Sequence, residues 1–207
     1  MEKILNKINE LKCSDIKLVI DKRVNEFRNF NKKSNKELFK ELCFCILTAN
    51  FTAERGINIQ NTIGDGFLTL TQAQLANKLK ELGHRFPNTR AKYIVEARKH
   101  KDELKQLIKT KSEYELREWL VQNVKGLGYK EASHFLRNIG YQNLAIADFH
   151  IVDILADHKL IEKPKTMTKN KYLEVEKVLQ NIGSKCNLCM SELDLYLWYL
   201  ETGKVLK

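Results

Sequence analysis

Apolar residues recur at helical spacing along most of this 207-residue chain, which only Pro87 and Pro164 interrupt as prolines. No segment alternates apolar and polar residues as a half-buried strand would. Ser34 and Ser112 are each followed three residues later by a glutamate, the spacing of a capping box, and Thr168 precedes another helical run. The pattern therefore predicts an all-α fold of about ten helices with short connections. The clearest apolar stripes are Leu116, Trp119, Leu120 and Val124; Phe135, Leu136 and Ile139; and Leu173, Val178, Leu179 and Ile182.

The composition is that of a soluble globular protein, with 43% hydrophobic and 30% charged residues. No apolar run approaches the ~18 residues of a membrane span, and the amino terminus lacks a signal-peptide block. We therefore expect a cytoplasmic protein with no membrane partner. The five cysteines are an odd number, which argues against a disulfide framework. Cys186 and Cys189 have metal-ligand spacing, but no second pair completes four ligands, so buried core thiols are the favoured interpretation.

The net charge is +10, from 36 lysines and arginines against 26 acidic residues. Such an excess fits a polyanionic partner, most simply nucleic acid, because contacts to phosphates release condensed counterions. Charge alone does not exclude a set of solvated, lysine-rich helix faces. A local motif has to decide between these two interpretations.

Two glycines one residue apart, Gly126 and Gly128, separate two helix-like segments. Glycine permits backbone angles that other residues avoid, and it lets a ligand approach the chain closely. Amides of the turn and of the first helical turn can then bind a phosphate, and Lys125 can add a charge contact. The alternative is a tight corner without function. With the basic charge and the capped helix before it, the motif favours a helix-hairpin-helix that grips nucleic acid.

Lys130 follows the glycines on the first turn of the second helix, where a cation is disfavoured and the neutral amine is relatively favoured. A neutral amine is a nucleophile. Asp148 opens the apolar helical run that follows, where its ordinary role is an N-cap. Taken singly, a surface lysine and a capping aspartate are sufficient explanations. Behind a phosphate-binding hairpin, the two together indicate a nucleophile and its carboxylate partner.

The stretch 126–130 followed by Asp148 resembles the helix-hairpin-helix/Gly-Pro-Asp DNA glycosylase superfamily, over the chain from about Leu38 to Lys207. Within it, the chain is similar to the archaeal type-2 8-oxoguanine DNA glycosylases, which are short, lack an iron–sulfur cluster and end in a lysine. Two positions depart from the family pattern. The approach to the aspartate, 144–147, contains no proline, and Val124-Lys125 stands where Leu-Pro is common.

The resemblance implies a two-lobed helical bundle with the active site in the cleft between the lobes. We expect residues 1–33 and 149–207 to form one lobe and 34–148 the other, with the helix-hairpin-helix at about 112–139. Lys130 would attack the sugar and form a Schiff base, while Asp148 would stabilise positive charge on that sugar. No metal or organic cofactor is implied, apart from a structural alkali cation on the hairpin carbonyls.

Three further residues are implied to contact DNA together with Lys125, Gly126 and Gly128. Asn50 would fill the hole left by a flipped base, although a polar helix end is the simpler explanation. Arg90 would face the opposite strand, unless it is a solvated charge on a helix face. His150 would contact a phosphate, unless it is a core or capping histidine.

The resemblance places the lesion base against Phe86 and Trp198, with Lys207 helping to distinguish 8-oxoguanine from guanine. Aromatic residues at such positions are more often part of the core, and a chain terminus is ordinarily frayed.

The expected partner is double-stranded DNA containing oxidised guanine, bound by a monomeric bifunctional glycosylase and abasic-site lyase. Two alternatives stay open. One is an oxidised-pyrimidine glycosylase of the endonuclease III type, and the other is a non-catalytic helix-hairpin-helix DNA-binding protein.

Overall fold

The computed structural model describes every residue from Met1 to Lys207 and is all-helical. It contains thirteen α-helices and one 3₁₀ turn, Arg98–His100, which is more than the predicted number of helices. The prediction merged neighbours that are separated only by short breaks without proline, such as the one at residues 13–15. No helix is long and apolar enough to cross a membrane.

Helices group into two compact units, residues 30–139 and residues 1–29 with 140–207. The helices whose residues lie mainly in the central unit are α3 (Asn35–Thr48), α4 (Ala53–Ile63), α5 (Gly66–Thr69), α6 (Gln72–Glu81), α7 (Pro87–Ala97), α8 (Leu104–Thr110), α9 (Glu113–Asn123) and α10 (Tyr129–Asn138). Those of the terminal unit are α1 (Glu2–Lys12), α2 (Ile16–Phe30), α11 (Phe149–Asp157), α12 (Lys169–Cys186) and α13 (Met190–Thr202).

Helix α3 is the centre of the unit 30–139, because every residue from Glu41 to Thr48 is buried. Helices α4, α5, α7, α8 and α10 all pack against it. Its one buried acid, Glu41, accepts hydrogen bonds from Asn138 Nδ2 at 2.6 Å and Gln60 Nε2 at 3.0 Å. A buried carboxylate is tolerated only when it is hydrogen-bonded in this way. These bonds fix α10, which carries Lys130, against α3.

The terminal unit begins again at residue 140, not at the expected residue 149. Gly140 has φ +104, and a Cβ there would lie 3.0 Å from the Phe27 carbonyl oxygen, so the chain passes close to α2. Further along, the Ala145 amide donates to Glu176 Oε1 at 2.9 Å, and Tyr172 Oη donates to the Ala145 carbonyl at 2.6 Å. The extended segment before Asp148 is therefore attached to the terminal helices, which the helical pattern of the sequence could not indicate.

The predicted helix starts are present, with one difference. Ser112 and Glu115 form the full capping box, and Thr168 Oγ1 accepts from the Lys171 amide. Ser34 accepts from the Glu37 amide, but the reciprocal bond of a box is not formed. Of the CxxC pair, Cys186 is buried as predicted, whereas Cys189 is only half-buried as the N-cap of α13. Burial raises the pKa of both thiols.

Candidate active site and nucleic-acid interface

The predicted hairpin lies between α9 and α10. The Leu127 amide donates to the Val124 carbonyl at 3.2 Å, which closes a turn around Lys125 and Gly126 and leaves their amides without an acceptor in it. Gly126 has φ +88, and a Cβ there would lie 2.5 Å from the Tyr93 ring. Both its backbone angle and this close approach require glycine. The turn is therefore fixed by packing.

Lys125 stands at the exposed tip of this hairpin. Its side chain is 65% exposed, and Nζ lies 3.0 Å from Glu96 Oε2. Surface ion pairs of this kind are weak, so a phosphate can compete for the ammonium. The position suits a charge contact that carries no sequence preference.

Lys130 is the second residue of α10 and is far less exposed than Lys125, with 25% of its side chain accessible. Its Nζ lies 3.6 Å from Glu131 Oε1. The other oxygen of that carboxylate accepts the Gly128 amide at 3.1 Å. Glu131 thus caps a helix whose first residue has no capping side chain, and it also pairs with Lys130. The sequence analysis missed Glu131, although a glutamate three residues after an N-cap glycine is a usable signal.

Asp148 is the N-cap of α11, as predicted, and its Oδ1 accepts the Ile151 amide at 2.9 Å. The bond occupies one carboxylate oxygen and holds the side chain in one orientation. The carboxylate lies at the amino end of the helix. Besides capping the helix, the Asp148 carboxylate can interact with a positive charge beside it.

Asn50 is exposed and lies just after α3 with φ +58, a left-handed conformation that asparagine tolerates better than most residues. The carbonyl before it, on Ala49, accepts Arg90 Nη2 at 2.6 Å. Arg90 is only 7% exposed, so the alternative of a solvated helix-face charge is wrong. Burial lowers the pKa of Arg90, which the Glu131 carboxylate partly offsets. The guanidinium supports the Asn50 loop from beneath.

Phe86 lies at the start of α7 and is exposed, with Arg85 and Arg90 within 6 Å of its ring (5.1 and 5.9 Å). It is therefore not a core residue. Its amide donates to Nδ1 of His84, a buried histidine that the sequence analysis did not identify.

In the terminal unit, His150 is partly exposed on the first turn of α11, so it is neither a core residue nor the cap, which is Asp148. Its ring lies 4.0 Å from Phe149 and, edge-on, 5.2 Å from the half-buried Trp198. The Trp198 Nε1 atom is buried without a hydrogen-bond acceptor. Lys207, beyond the end of α13, is half-buried rather than splayed into solvent.

The chain is similar in sequence and in fold to known proteins. The family model described as 8-oxoguanine DNA glycosylase matches residues 20–188. A protein of Methanocaldococcus jannaschii named 8-oxoguanine DNA glycosylase/AP lyase is 59% identical over 206 residues, covering 99% of each chain. One of the same name from Korarchaeum cryptofilum is 51% identical, covering 100% of this chain and 99% of the relative. The crystal structure of the M. jannaschii 8-oxoguanine glycosylase/lyase with a 15mer DNA containing 8-oxoguanine superposes with a TM-score of 0.97, at 58% identity, covering 99% of this chain and 100% of that one.

Proposed function

This chain belongs to the 8-oxoguanine DNA glycosylase family, and from that premise we propose that it excises 8-oxoguanine from duplex DNA and then cleaves the strand. The observation that carries the proposal is the placement of Lys130. It follows a phosphate-binding turn directly, on a helix anchored to the core, with most of its side chain withdrawn from solvent. An intracellular, DNA-associated location follows from such a substrate.

The hairpin provides the grip on DNA. The amides of Lys125 and Gly126 and the first-turn amide of Lys130, which has no acceptor in the helix, are donors for a backbone phosphate. Gly128 supports this surface, since its own amide is held by Glu131. An alkali cation would be held by carbonyls of the turn, and these fit it, because the Val124 carbonyl keeps a second lone pair beside its bond to Leu127. Such an ion would stiffen the turn and take no part in the reaction.

The lesion nucleotide leaves the duplex, at a cost of roughly a few kcal/mol for unstacking. Asn50 fills the space it leaves, and Arg90 supports that loop. Phe86 in the unit 30–139, and Trp198 and Lys207 in the terminal unit, are each proposed to contact the extruded base, and His150 to contact a phosphate. Aromatic side chains can stack on the extruded purine, since every base has a π-face.

The reaction then proceeds at the sugar. The neutral amine of Lys130 attacks C1′, and the bond from C1′ to the base breaks with its electron pair leaving on the base. Asp148 stabilises the positive charge that develops on the sugar. The bond from C1′ to the ring oxygen O4′ then breaks as the C=N bond of a Schiff base forms, with one amine proton passing to the departed base and the other to O4′. A proton leaves C2′, and the 3′ phosphate departs with the electrons of its C–O bond. Water finally releases the enzyme.

Borohydride trapping tests this proposal. Borohydride reduces the Schiff base to a stable amine, so wild-type protein should become covalently attached to a duplex containing 8-oxoguanine. The same assay on a duplex with an oxidised pyrimidine, and on an undamaged one, should give little or no adduct. A pyrimidine preference would instead support the endonuclease III type of activity.

Lys130→Gln and Lys125→Gln are a matched pair of variants for this assay. Lys130→Gln should bind DNA without trapping, while Lys125→Gln should bind more weakly and still trap. Loss of trapping in Lys125→Gln with retention in Lys130→Gln would place the nucleophile at the hairpin tip. No adduct with any duplex would leave a non-catalytic DNA-binding protein.

A further inference from the structure

One buried side chain, His84, connects the loop before α7 to the end of α3 and to the loop that follows α3. The loop after α3 carries Asn50, and the loop before α7 carries Phe86 and His84 itself. His84 is 4% exposed. Its Nε2 is 3.0 Å from the Leu47 carbonyl, and its Nδ1 is 3.0 Å from the Phe86 amide. The imidazole also lies 4.3 Å from the ring of Phe51, next to Asn50.

The two hydrogen bonds define the state of the imidazole. A carbonyl can only accept, so Nε2 must donate, and an amide can only donate, so Nδ1 must accept. His84 is therefore neutral with its proton on Nε2. Burial lowers the pKa of His84, and the Arg90 and Arg55 charges lower it further. The ring thus acts as a fixed donor–acceptor link between the two loops.

Arg55 and Arg90 reinforce the link on either side. Arg55 Nη2 donates to the Gly83 carbonyl at 2.8 Å, while its guanidinium lies 5.1 Å from the centre of the Phe51 ring. Arg90, from the second loop's helix, bonds to the Ala49 carbonyl of the first. A carbonyl of each loop is consequently held by an arginine from the helix that follows the other loop.

The rigid part of this arrangement is buried, whereas its two tips are exposed. Asn50 is exposed in a left-handed conformation, and Phe86 is 37% exposed. An exposed aromatic residue and a strained exposed residue each lower the stability of the fold. They persist only where the surrounding structure, here the buried polar side chains, holds the backbone in place. Neither Asn50 nor Phe86 has to be exposed for the loops to be stable.

We propose that His84 is a positioning residue that fixes the separation of Phe86 and Asn50, so that capture of the extruded base and filling of the vacated space occur as one step. This inference rests on the proposed glycosylase function. Breaking the bond to Leu47 lets the loop before α7 shift relative to α3 and the Asn50 loop, and breaking the bond to Phe86 lets Phe86 shift within its own loop. Extrusion of an intact base then becomes inefficient, while the amine of Lys130, on α10, is unaffected.

Three variants separate the two bonds. His84→Asn places a side-chain amide near the position of Nδ1 and can keep the bond to Phe86, whereas His84→Gln reaches toward Leu47 and can keep that bond. His84→Ala removes both. Each variant is assayed under single-turnover conditions on two duplexes, one containing 8-oxoguanine and one containing a preformed abasic site. A 2-aminopurine beside the lesion reports base extrusion by fluorescence.

Excision of 8-oxoguanine should fall by about 10- to 100-fold in His84→Ala, the range that small misplacements of a bound group produce, and by less in the other two. The fluorescence change should be lost in parallel. Cleavage at the abasic site, where no base has to be held, should stay at the wild-type rate and show that the variants are folded.

The proposal is overturned if both reactions fall by the same factor, which would indicate a general structural role, or if His84→Ala excises normally. Failure of the proposed function looks different, because wild-type protein would then not excise 8-oxoguanine, whether or not it cleaves the abasic site.

Discussion

The helices that carry Lys130 and Asp148 begin in opposite ways. Helix α10 starts at Gly128, which has no side chain, and its cap is supplied by the Glu131 carboxylate from inside the helix. Helix α11 starts at Asp148, whose own carboxylate is the cap. In both helices an amide at the amino end needs an acceptor. In α10 a residue inside the helix accepts from the N-cap amide, whereas in α11 the N-cap residue accepts from an amide inside the helix.

This difference separates chemistry from stability in the central unit and joins them in the terminal unit. Lys130 does not cap its helix, so replacing it removes only the proposed nucleophile. Asp148 has a capping role and a proposed electrostatic one, so replacing it removes a cap and a charge together. Substitutions at Lys130 and Asp148 can therefore separate effects on the reaction from effects on helix capping.

The largest effect is expected at Asp148. Asp148→Ala should lower single-turnover excision by about 10²- to 10³-fold, the scale of losing one electrostatic group at a developing charge. It should also lower the free energy of unfolding by about 1 kcal/mol through loss of the cap.

Asp148→Asn is the matched control, because asparagine caps well but carries no charge. It should lose activity as the alanine variant does and keep wild-type stability in urea. Equal destabilisation of the two variants would show that the charge, rather than the cap, supports α11.

Gly126→Ala should destabilise the protein by about 2–4 kcal/mol, combining a left-handed backbone with an overpacked contact to Tyr93. A Cβ at Gly128 meets only the flexible Glu131 side chain, at 3.2 Å, so Gly128→Ala should be much milder. Urea unfolding compares them, and affinity for undamaged duplex should follow the same order. Similar values for both glycines would mean that Tyr93 moves away at little cost.

Glu131→Ala should cost about 1 kcal/mol of stability, the usual value for a lost cap. Glu131→Gln keeps an acceptor for the Gly128 amide and should be nearly neutral, as measured by urea unfolding. If the glutamine variant is as unstable as the alanine one, the interaction with Lys130, and not the cap, is what holds the first turn of α10.

The smallest effect concerns α9, whose box pairs Ser112 with Glu115. Hydrogen bonds from the Ser112 hydroxyl and amide lower the pKa of the Glu115 carboxyl from 4.5. Because the folded-state pKa is depressed, the stabilisation is complete above pH 4.5 and is lost as pH falls through the folded-state pKa. The Tm difference between wild type and Glu115→Gln should be constant above pH 4.5 and shrink below it. A difference that does not change with pH would assign the effect to geometry alone.

Features encoded locally were predicted well. The hairpin glycines, the box at Ser112 and the cap at Asp148 each depend on residues within a few positions of one another. The all-helical fold followed from apolar periodicity in the same way.

What the sequence did not reveal depends on distant partners. Arg90 reads as a surface arginine until the Ala49 carbonyl, 41 residues away, is placed beside it. The bond from His84 to Leu47 spans 37 residues. The unit boundary at residue 140 was missed because the extended segment there has no helical period and is held by Glu176 and Tyr172.

The close packing of Gly126 on Tyr93 fixes the shape of the hairpin, and this bears on the step at which a lesion is recognised. Backbone amides and one lysine, the donors that we propose for the hairpin, contact phosphates, which are the same beside a lesion and beside intact bases. By this proposal the hairpin contributes to affinity and not to discrimination. Selectivity then has to arise at a later step, at which an extruded normal guanine returns to the DNA duplex before its bond to the sugar is broken.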